Sequence, residues 1–169
     1  MRGRWRWTPI GSGMIASALC STALIAQAPA SSDVDVCELV TNEEFQKAQG
    51  VHPQIGVIPD VPVLTDMSWG PHCDYQPGSI DLFTKESELE RVLKLTKAVN
   101  KRDPVPGLGQ RAFFTIVYPG DEYRQRGLLA IFVGSRILAL SMDDRQDLPV
   151  EATRPKLEGL AKLALPRLK

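Results

Sequence analysis

The chain has 169 residues, with 20 lysines and arginines against 20 aspartates and glutamates. An apolar fraction of 43% and a charged fraction of 24% are ordinary for a globular protein and exclude disordered, collagen-like and coiled-coil classes. The formal net charge of zero gives no basic surface for nucleic acid. We therefore expect a folded domain with no nucleic-acid partner.

Residues 1–30 have the pattern of a secretory signal peptide. Three arginines lie among the first seven residues, and residues 10–26 are mostly small or apolar. Ala26-Gln27-Ala28 and Ala28-Pro29-Ala30 each offer the small residues that signal peptidase reads. We expect an exported protein, periplasmic or secreted, with a mature single domain of residues 31–169 and no stable membrane span after cleavage. An uncleaved N-terminal anchor is the alternative.

Two cysteines, Cys37 and Cys73, remain in the mature part because Cys20 lies in the leader. In an exported protein such a pair predicts a disulfide. Together with His52 and His72 they include the residue types of a zinc site, but the usual short ligand spacings are missing. A cysteine nucleophile needs a free thiolate, which an oxidising compartment removes. We expect neither a metal nor a cofactor.

The first element of the mature chain is a short helix. Thr41 and Glu44 have the spacing of a capping box, in which each side chain accepts a hydrogen bond from the other residue's backbone N–H. The helix is predicted to end at Gln49, with Gly50 as the left-handed residue that follows it.

A proline-broken stretch and a hairpin come next. Residues 51–68 contain three prolines and are predicted to be an irregular loop with at most an edge strand at 61–64. Residues 69–75 and 79–84 flank the turn pair Pro77-Gly78 and predict a hairpin.

The second half begins with an amphipathic helix, predicted over residues 87–100 and opened by a second capping box, Ser87 with Glu90. Three strands are predicted at residues 111–118, 127–133 and 137–142, followed by a terminal helix from Pro155 with an apolar stripe of Leu157, Leu160, Ala161, Ala164 and Leu168. The order predicts an α+β fold with an antiparallel sheet of about five strands and helices packed on one face.

Three motifs resemble a known group of proteins. They are residues 37–41 followed by a helix that ends at Gly50, the segment Trp69…Cys73-Asp74-Tyr75, and residues 105–113. Together they resemble small bacterial cell-envelope domains of unknown function, many of them lipoproteins. The resemblance implies a compact α+β envelope domain with a pair of cysteines, and it brings no catalytic residues. This chain departs from it in lacking a lipobox, since Leu19 precedes Cys20.

The sequence shows no serine nucleophile elbow, no His-Glu-x-x-His and no EF-hand loop. The adjacent acids Asp121-Glu122 and Asp143-Asp144 are expected to face water in turns. Gly107-Leu108-Gly109 is expected to be a turn, because it does not join a strand to a helix as a phosphate-binding loop does.

Two further sets of residues leave alternatives open. Trp69 is expected in the core beside the disulfide, or else as a ligand platform. Four arginines lie on or near neighbouring predicted strands: Arg111, Arg124, Arg126 and Arg136. Either they gather an anion or they simply occupy exposed strand positions.

No catalytic constellation stands out, so the sequence favours a non-enzymatic binding or accessory module, a monomer whose ligand is an unknown small molecule or envelope protein. The alternative is a small exported hydrolase with an unrecognised site. That alternative requires a pocket that gathers His52 or His72 with Asp74 or Asp143.

Overall fold

Seven strands and three helices make up the part of the chain described by a computed structural model, namely residues 34–50, 63–67, 70–75, 78–99, 101–118, 125–143 and 149–168. The helices are α1 (Asn42–Gln49), α2 (Glu86–Leu95) and α3 (Thr153–Ala164). The strands are β1 (Val63–Met67), β2 (Gly70–Tyr75), β3 (Gly78–Phe83), β4 (Asp103–Pro104), β5 (Arg111–Val117), β6 (Arg126–Val133) and β7 (Arg136–Asp143). The predicted leader, residues 1–30, lies outside the described residues.

The strands form one antiparallel sheet in the order β1-β2-β3-β7-β6-β5-β4. Two meanders, β1 to β3 and β4 to β7, meet along β3 and β7, where the pairing runs from Gly78↔Met142 to Phe83↔Ile137. This confirms the α+β class and the antiparallel sheet. Six strands have five to eight residues and β4 has two, so the expected number of about five was close. The edge strand expected at residues 61–64 corresponds to β1, which lies at the sheet edge but spans Val63–Met67.

Helix α1 forms as its local sequence predicts. The Thr41 hydroxyl accepts from the Glu44 backbone N–H at 3.2 Å, and the Glu44 carboxylate accepts from the Thr41 N–H at 2.8 Å. Gly50 follows the helix with a φ of 75°. Both ends are set by residues within one turn of the helix, the Thr41–Glu44 capping box and the left-handed Gly50, which is why the sequence predicts them.

Helix α2 differs from its predicted bounds at both ends. The helix follows Lys85, whose backbone N–H donates a hydrogen bond to the Glu88 carboxylate at 3.3 Å. The predicted Ser87–Glu90 capping box is therefore wrong. Glu90 instead binds Arg102, a partner twelve residues away. The helix ends at Leu95 rather than near residue 100 because Lys97 takes a left-handed backbone, with a φ of 48°.

The helices pack on both faces of the sheet, which corrects the expectation that they share one face. Helices α1 and α3 cover what we term the α1/α3 face, and α2 covers part of the other, the α2 face. The α1/α3 face buries Cys73, Tyr75, Ile80, Leu82, Phe114, Leu129, Ile131, Leu138, Leu140 and Met142. The α2 face buries Phe83, Phe113, Val117, Leu128, Ala130, Ile137 and Ala139.

The physical reason for two covered faces is visible in the strands themselves. Residues 128–132 are apolar at every position, and alternate side chains of a strand point to opposite faces. A strand of this kind exposes apolar surface unless both faces are packed. The stripe predicted on the terminal helix is confirmed, since Leu157, Leu160, Ala161 and Ala164 are all buried against the α1/α3 face.

Candidate functional site

The structure contains the predicted disulfide between Cys37 and Cys73. The S–S distance is 2.01 Å and the two Cα atoms are 5.3 Å apart. The bond joins the 3₁₀ turn Val36–Glu38 to strand β2 across 36 residues of sequence. Both thiols are therefore occupied, and the zinc and nucleophile alternatives for these cysteines fail.

Tyr75 reinforces the same junction, a role that the sequence does not predict. Its hydroxyl donates to the backbone carbonyls of Cys37 at 3.1 Å and Val40 at 2.5 Å. Its ring stacks on Phe45 of α1, with centroids 4.6 Å apart and planes 6° from parallel. Burial raises the pKa of the Tyr75 hydroxyl, so the group remains a donor at physiological pH. This arrangement holds the N-terminal segment on the sheet and has no features of a ligand site.

A polar cluster lies on the α2 face, beside the apolar residues that α2 covers. The β2–β3 register places His72 opposite Asp81, and the imidazole Nδ1 and carboxylate Oδ1 are 2.7 Å apart. The Ser79 hydroxyl donates to the other Asp81 oxygen at 3.2 Å and lies 2.8 Å from the Ser141 hydroxyl on β7. We call His72, Ser79, Asp81 and Ser141 the polar cluster.

The charges around this cluster favour a protonated imidazole. The hydrogen bond from the imidazole to the Asp81 carboxylate is the main cause that raises the pKa of His72, and the charge of Asp74 acts in the same direction. Burial and the charge of Arg126 act against them. Arg126 itself binds Asp143 on the neighbouring strand. Of the residues proposed for a hydrolase, Asp74 therefore influences His72 through its charge, whereas Asp143 is bound by Arg126.

The cluster lacks the geometry of an activated nucleophile. Ser79 hydrogen-bonds to the carboxylate and to Ser141, while the imidazole bonds to Asp81. In a nucleophile–base pair the hydroxyl would bond to the imidazole. Within the residues that the structure describes, no group of three or more His, Cys, Asp and Glu side chains could hold a metal ion.

The arginines predicted to gather an anion do not converge in the described strands. Arg111 binds Glu86 at 2.6 Å and lies over the Phe132 ring, 3.8 Å from its centroid. Arg126 lies at the opposite end of the β5–β6 pair, and Arg136 pairs with Val133 at the far end of β6. Arg111 and Arg126 thus lie at opposite ends of this strand pair and bind separate carboxylates, so these two do not gather one anion. The fourth, Arg124, lies outside the described residues.

The Gly107-Leu108-Gly109 segment is a turn, as expected. Gly107 and Gly109 have φ values of 81° and 57°, and Leu108 between them is buried in the core. A side chain at Gly109 would collide with the Phe132 carbonyl, which explains the glycine without a phosphate. Four other residue sets singled out from the sequence lie outside the described residues, namely His52, Trp69, Asp121-Glu122 and Asp144.

An open cleft of about 440 Å³ lies between the end of α2, the segment that follows it, and β5. We call it the α2 cleft. Its lining comprises Glu90, Leu93, Lys94, Lys97, Ala98, Val99, Arg102 and Thr115. The volume is within the range of small-molecule sites, which begins at about 300 Å³.

One wall of the α2 cleft is an ion pair with two hydrogen bonds. Arg102 donates to the two Glu90 oxygens at 2.7 Å and 2.6 Å, and its guanidinium lies 5.0 Å from the Phe113 ring centroid. The bond to Arg102 lowers the pKa of Glu90 and raises that of Arg102. A planar guanidinium fixed by a carboxylate and a ring gives the cleft a wall of defined shape.

The floor of the α2 cleft lies along the edge of the sheet, beside β5. The Val99 N–H donates to the Ile116 carbonyl at 2.8 Å, and the Thr115 hydroxyl donates to the Val99 carbonyl at 3.1 Å. Val99 remains 37% exposed, one of three large apolar side chains left exposed among the described residues. The sequence does not predict this site, because a helix that continued to residue 100 would bury Val99.

Comparison with the models of known protein families, with curated proteins and with solved structures gave no match for this chain. Among the described residues, no helix has the length and apolar character needed to cross a membrane.

Proposed function

We propose that the protein is exported and acts, in the periplasm or outside the cell, as a non-enzymatic binding module whose ligand occupies the α2 cleft. The observation that carries the proposal is the cleft itself. It combines a ligand-sized volume, an ordered ion-pair wall and an exposed apolar floor, and it lies apart from the disulfide junction.

The fixed walls of the α2 cleft support binding. A preformed site loses less conformational freedom when a ligand enters than a site that must first become ordered. The residues around it contribute hydrogen bonds and charges to each other but no nucleophile paired with a base. This set of contacts suits recognition rather than bond cleavage.

Export is supported by the leader-like residues 1–30 and by the disulfide, because disulfides persist in oxidising compartments. The resemblance of residues 37–41 and 105–113 to cell-envelope domains points the same way. Intact mass of protein recovered from the exported fraction should show a chain that starts near Pro29 or Ser31. A mass that retains residues 1–30 in that fraction would exclude cleavage.

Native mass spectrometry of the exported protein tests the binding function. We expect a small molecule to stay bound to the wild-type protein. Ala98→Trp should abolish that retained mass by filling the cleft, while Leu163→Trp, at a 41% exposed position on α3, should keep it. A retained molecule that survives Ala98→Trp would place the ligand elsewhere.

The hydrolase alternative rests on the His72–Asp81 pair, since a carboxylate on Nδ1 leaves Nε2 as the atom that could accept a proton. It predicts hydrolysis of a substrate panel that is lost in His72→Gln. The orientation of Ser79 toward Asp81 supports it less well than the cleft supports binding.

A further inference from the structure

We infer that the ligand of the α2 cleft carries a planar aromatic ring, which stacks on the Arg102 guanidinium and packs on the apolar floor. This inference rests on the proposed binding function and specifies its ligand class. The observations that carry it are the contacts that hold Arg102 in place.

The Arg102 guanidinium is held along one edge and over one face. Its two terminal nitrogens donate to the two Glu90 oxygens at 2.7 Å and 2.6 Å, and its central carbon lies 5.0 Å from the centroid of the Phe113 ring. Because a guanidinium is planar, these contacts leave its second face. The side chain is 42% exposed and lines the cleft, so we take the second face to be the surface that it presents to a ligand.

This second face suits an aromatic ring better than an anion. Both terminal nitrogens of Arg102 already bind a carboxylate, so a ligand carboxylate would have to displace Glu90 to reach them. An aromatic ring displaces nothing, because a cation is attracted to the face of the ring and not to its edge. With Phe113 on one side and the ligand on the other, the guanidinium would lie between two rings.

The same combination of arginine, glutamate and ring occurs a second time on this side of the sheet. Arg111 donates to Glu86 at 2.6 Å and lies 3.8 Å from the centroid of the Phe132 ring. The described residues that line the α2 cleft include Arg102 but not Arg111. The chain therefore supplies a matched arginine outside the proposed site.

The floor of the cleft offers apolar surface to the same ligand. Leu93, Ala98 and Val99 line it, and Val99 is 37% exposed. Any apolar group that covers this surface stabilises the complex by removing it from water. An aromatic ring gains the contact with Arg102 in addition, whereas an aliphatic ring of the same size gains only the burial.

The test is a titration of the exported protein, freed of retained ligand, with benzyl alcohol and cyclohexylmethanol. Each probe has a six-membered ring and one hydroxymethyl group, but only benzyl alcohol is aromatic. Benzyl alcohol should cause saturable NMR shifts in the amides of residues 93–99 and bind about three- to tenfold more tightly than cyclohexylmethanol. It should also move the Arg102 Nε–H resonance upfield, since a stacked ring shields protons above its face.

Arg102→Lys keeps the positive charge and removes the planar group. It should reduce the preference for benzyl alcohol to nearly equal binding of the two probes, because an ammonium is strongly hydrated and has no flat face for stacking. Arg111→Lys should keep the wild-type preference. Since the preference compares two probes of similar size in one variant, a general change in the shape of the cleft would alter both affinities together.

Equal binding of the two probes by the wild type, or an unchanged preference in Arg102→Lys, would overturn the aromatic assignment and leave the binding function in place. Shifts confined to residues outside the cleft would overturn the assignment as well. If neither probe binds saturably and native mass spectra show no retained molecule, the binding function itself falls.

Discussion

The imidazole of His72 is held by a carboxylate on the neighbouring strand, so its proton contributes to the free energy of folding. The two groups lie 2.7 Å apart and are mostly buried, with 13% and 15% of their side chains exposed. Asp81 also accepts a hydrogen bond from Ser79, and its hydrogen bond with His72 favours the charged form of the imidazole in the folded protein.

This coupling predicts a pH dependence near neutrality. Because Asp81 raises the pKa of His72 above its ordinary value of 6.5, the stabilisation is complete below pH 6.5 and is lost as the pH rises through the folded-state pKa. Urea unfolding midpoints measured upward from about pH 6 should fall in the wild type and change less in Asp81→Asn. Parallel curves for the two proteins would contradict the coupling.

The partner of His72 could not be assigned from the sequence because it depends on one residue of turn placement. If Pro77 and Gly78 formed a two-residue turn, Phe83 would lie opposite His72. In the structure Tyr75 pairs with Gly78, and this register brings Asp81 opposite His72. Gly78 has a reason to lie in the strand, since a side chain there would collide with Phe45 and the Ser141 carbonyl.

Among the elements, α1 and the chain beyond α3 are joined by an ion pair that responds to acid. Arg167 donates to both Glu44 oxygens at 2.7 Å and also to the Leu39 carbonyl at 3.1 Å. Together with the Thr41 N–H, Arg167 lowers the pKa of Glu44 from 4.5 to about 2.

We therefore expect acid to weaken this junction. A lowered folded-state pKa gives stabilisation that is present above pH 4.5 and is lost as the pH falls from 4.5 toward about 2. When the urea unfolding midpoint is plotted against pH, its fall at acidic pH should be smaller in Glu44→Gln than in the wild type. Glu43→Gln, on the same helix turn, should behave like the wild type. An equal fall in Glu44→Gln and the wild type would show that the pair does not contribute.

The contact between α3 and β6 depends on a glycine. A Cβ at Gly127 would collide with the Thr153 hydroxyl and lie 3.0 Å from the Phe114 ring, whereas one at Gly159, within α3, meets nothing within 4 Å. Gly127→Ala should destabilise the domain by about 1–3 kcal/mol. Gly159→Ala should stabilise it by up to about 1 kcal/mol, since alanine favours a helix. Opposite shifts of the urea midpoint check both; shifts of the same sign would refute the packing argument.

The elements that the sequence predicts well are those whose ends are local. The α1 capping box and Gly50 lie within ten residues of each other, and the structure reproduces both. The end of α2 is set by a left-handed lysine, for which the sequence carries no signal. The α2 cleft depends on that end, so it could not be predicted either.

For the whole domain, the disulfide is the covalent link between the N-terminal segment and the sheet. Closing a loop over 36 residues should stabilise the fold by about 3–4 kcal/mol, mainly by restricting the unfolded chain. Cys37→Ser with Cys73→Ser should therefore cost about 2–5 kcal/mol in urea unfolding. Reductant should destabilise the wild type and leave the double variant unchanged; equal wild-type midpoints with and without reductant would contradict this role.

The arrangement of the two meanders has a consequence for synthesis. Ser79 on β3 and Ser141 on β7 touch in the folded sheet but are 62 residues apart in the chain. At about 5–20 residues per second, β7 leaves the ribosome roughly 3–12 s after β3. During that interval one edge of β3 has unpaired backbone groups, and such an edge pairs readily with other chains. The edge is removed only when the second meander closes along β3, so the completed sheet depends on both halves of the chain.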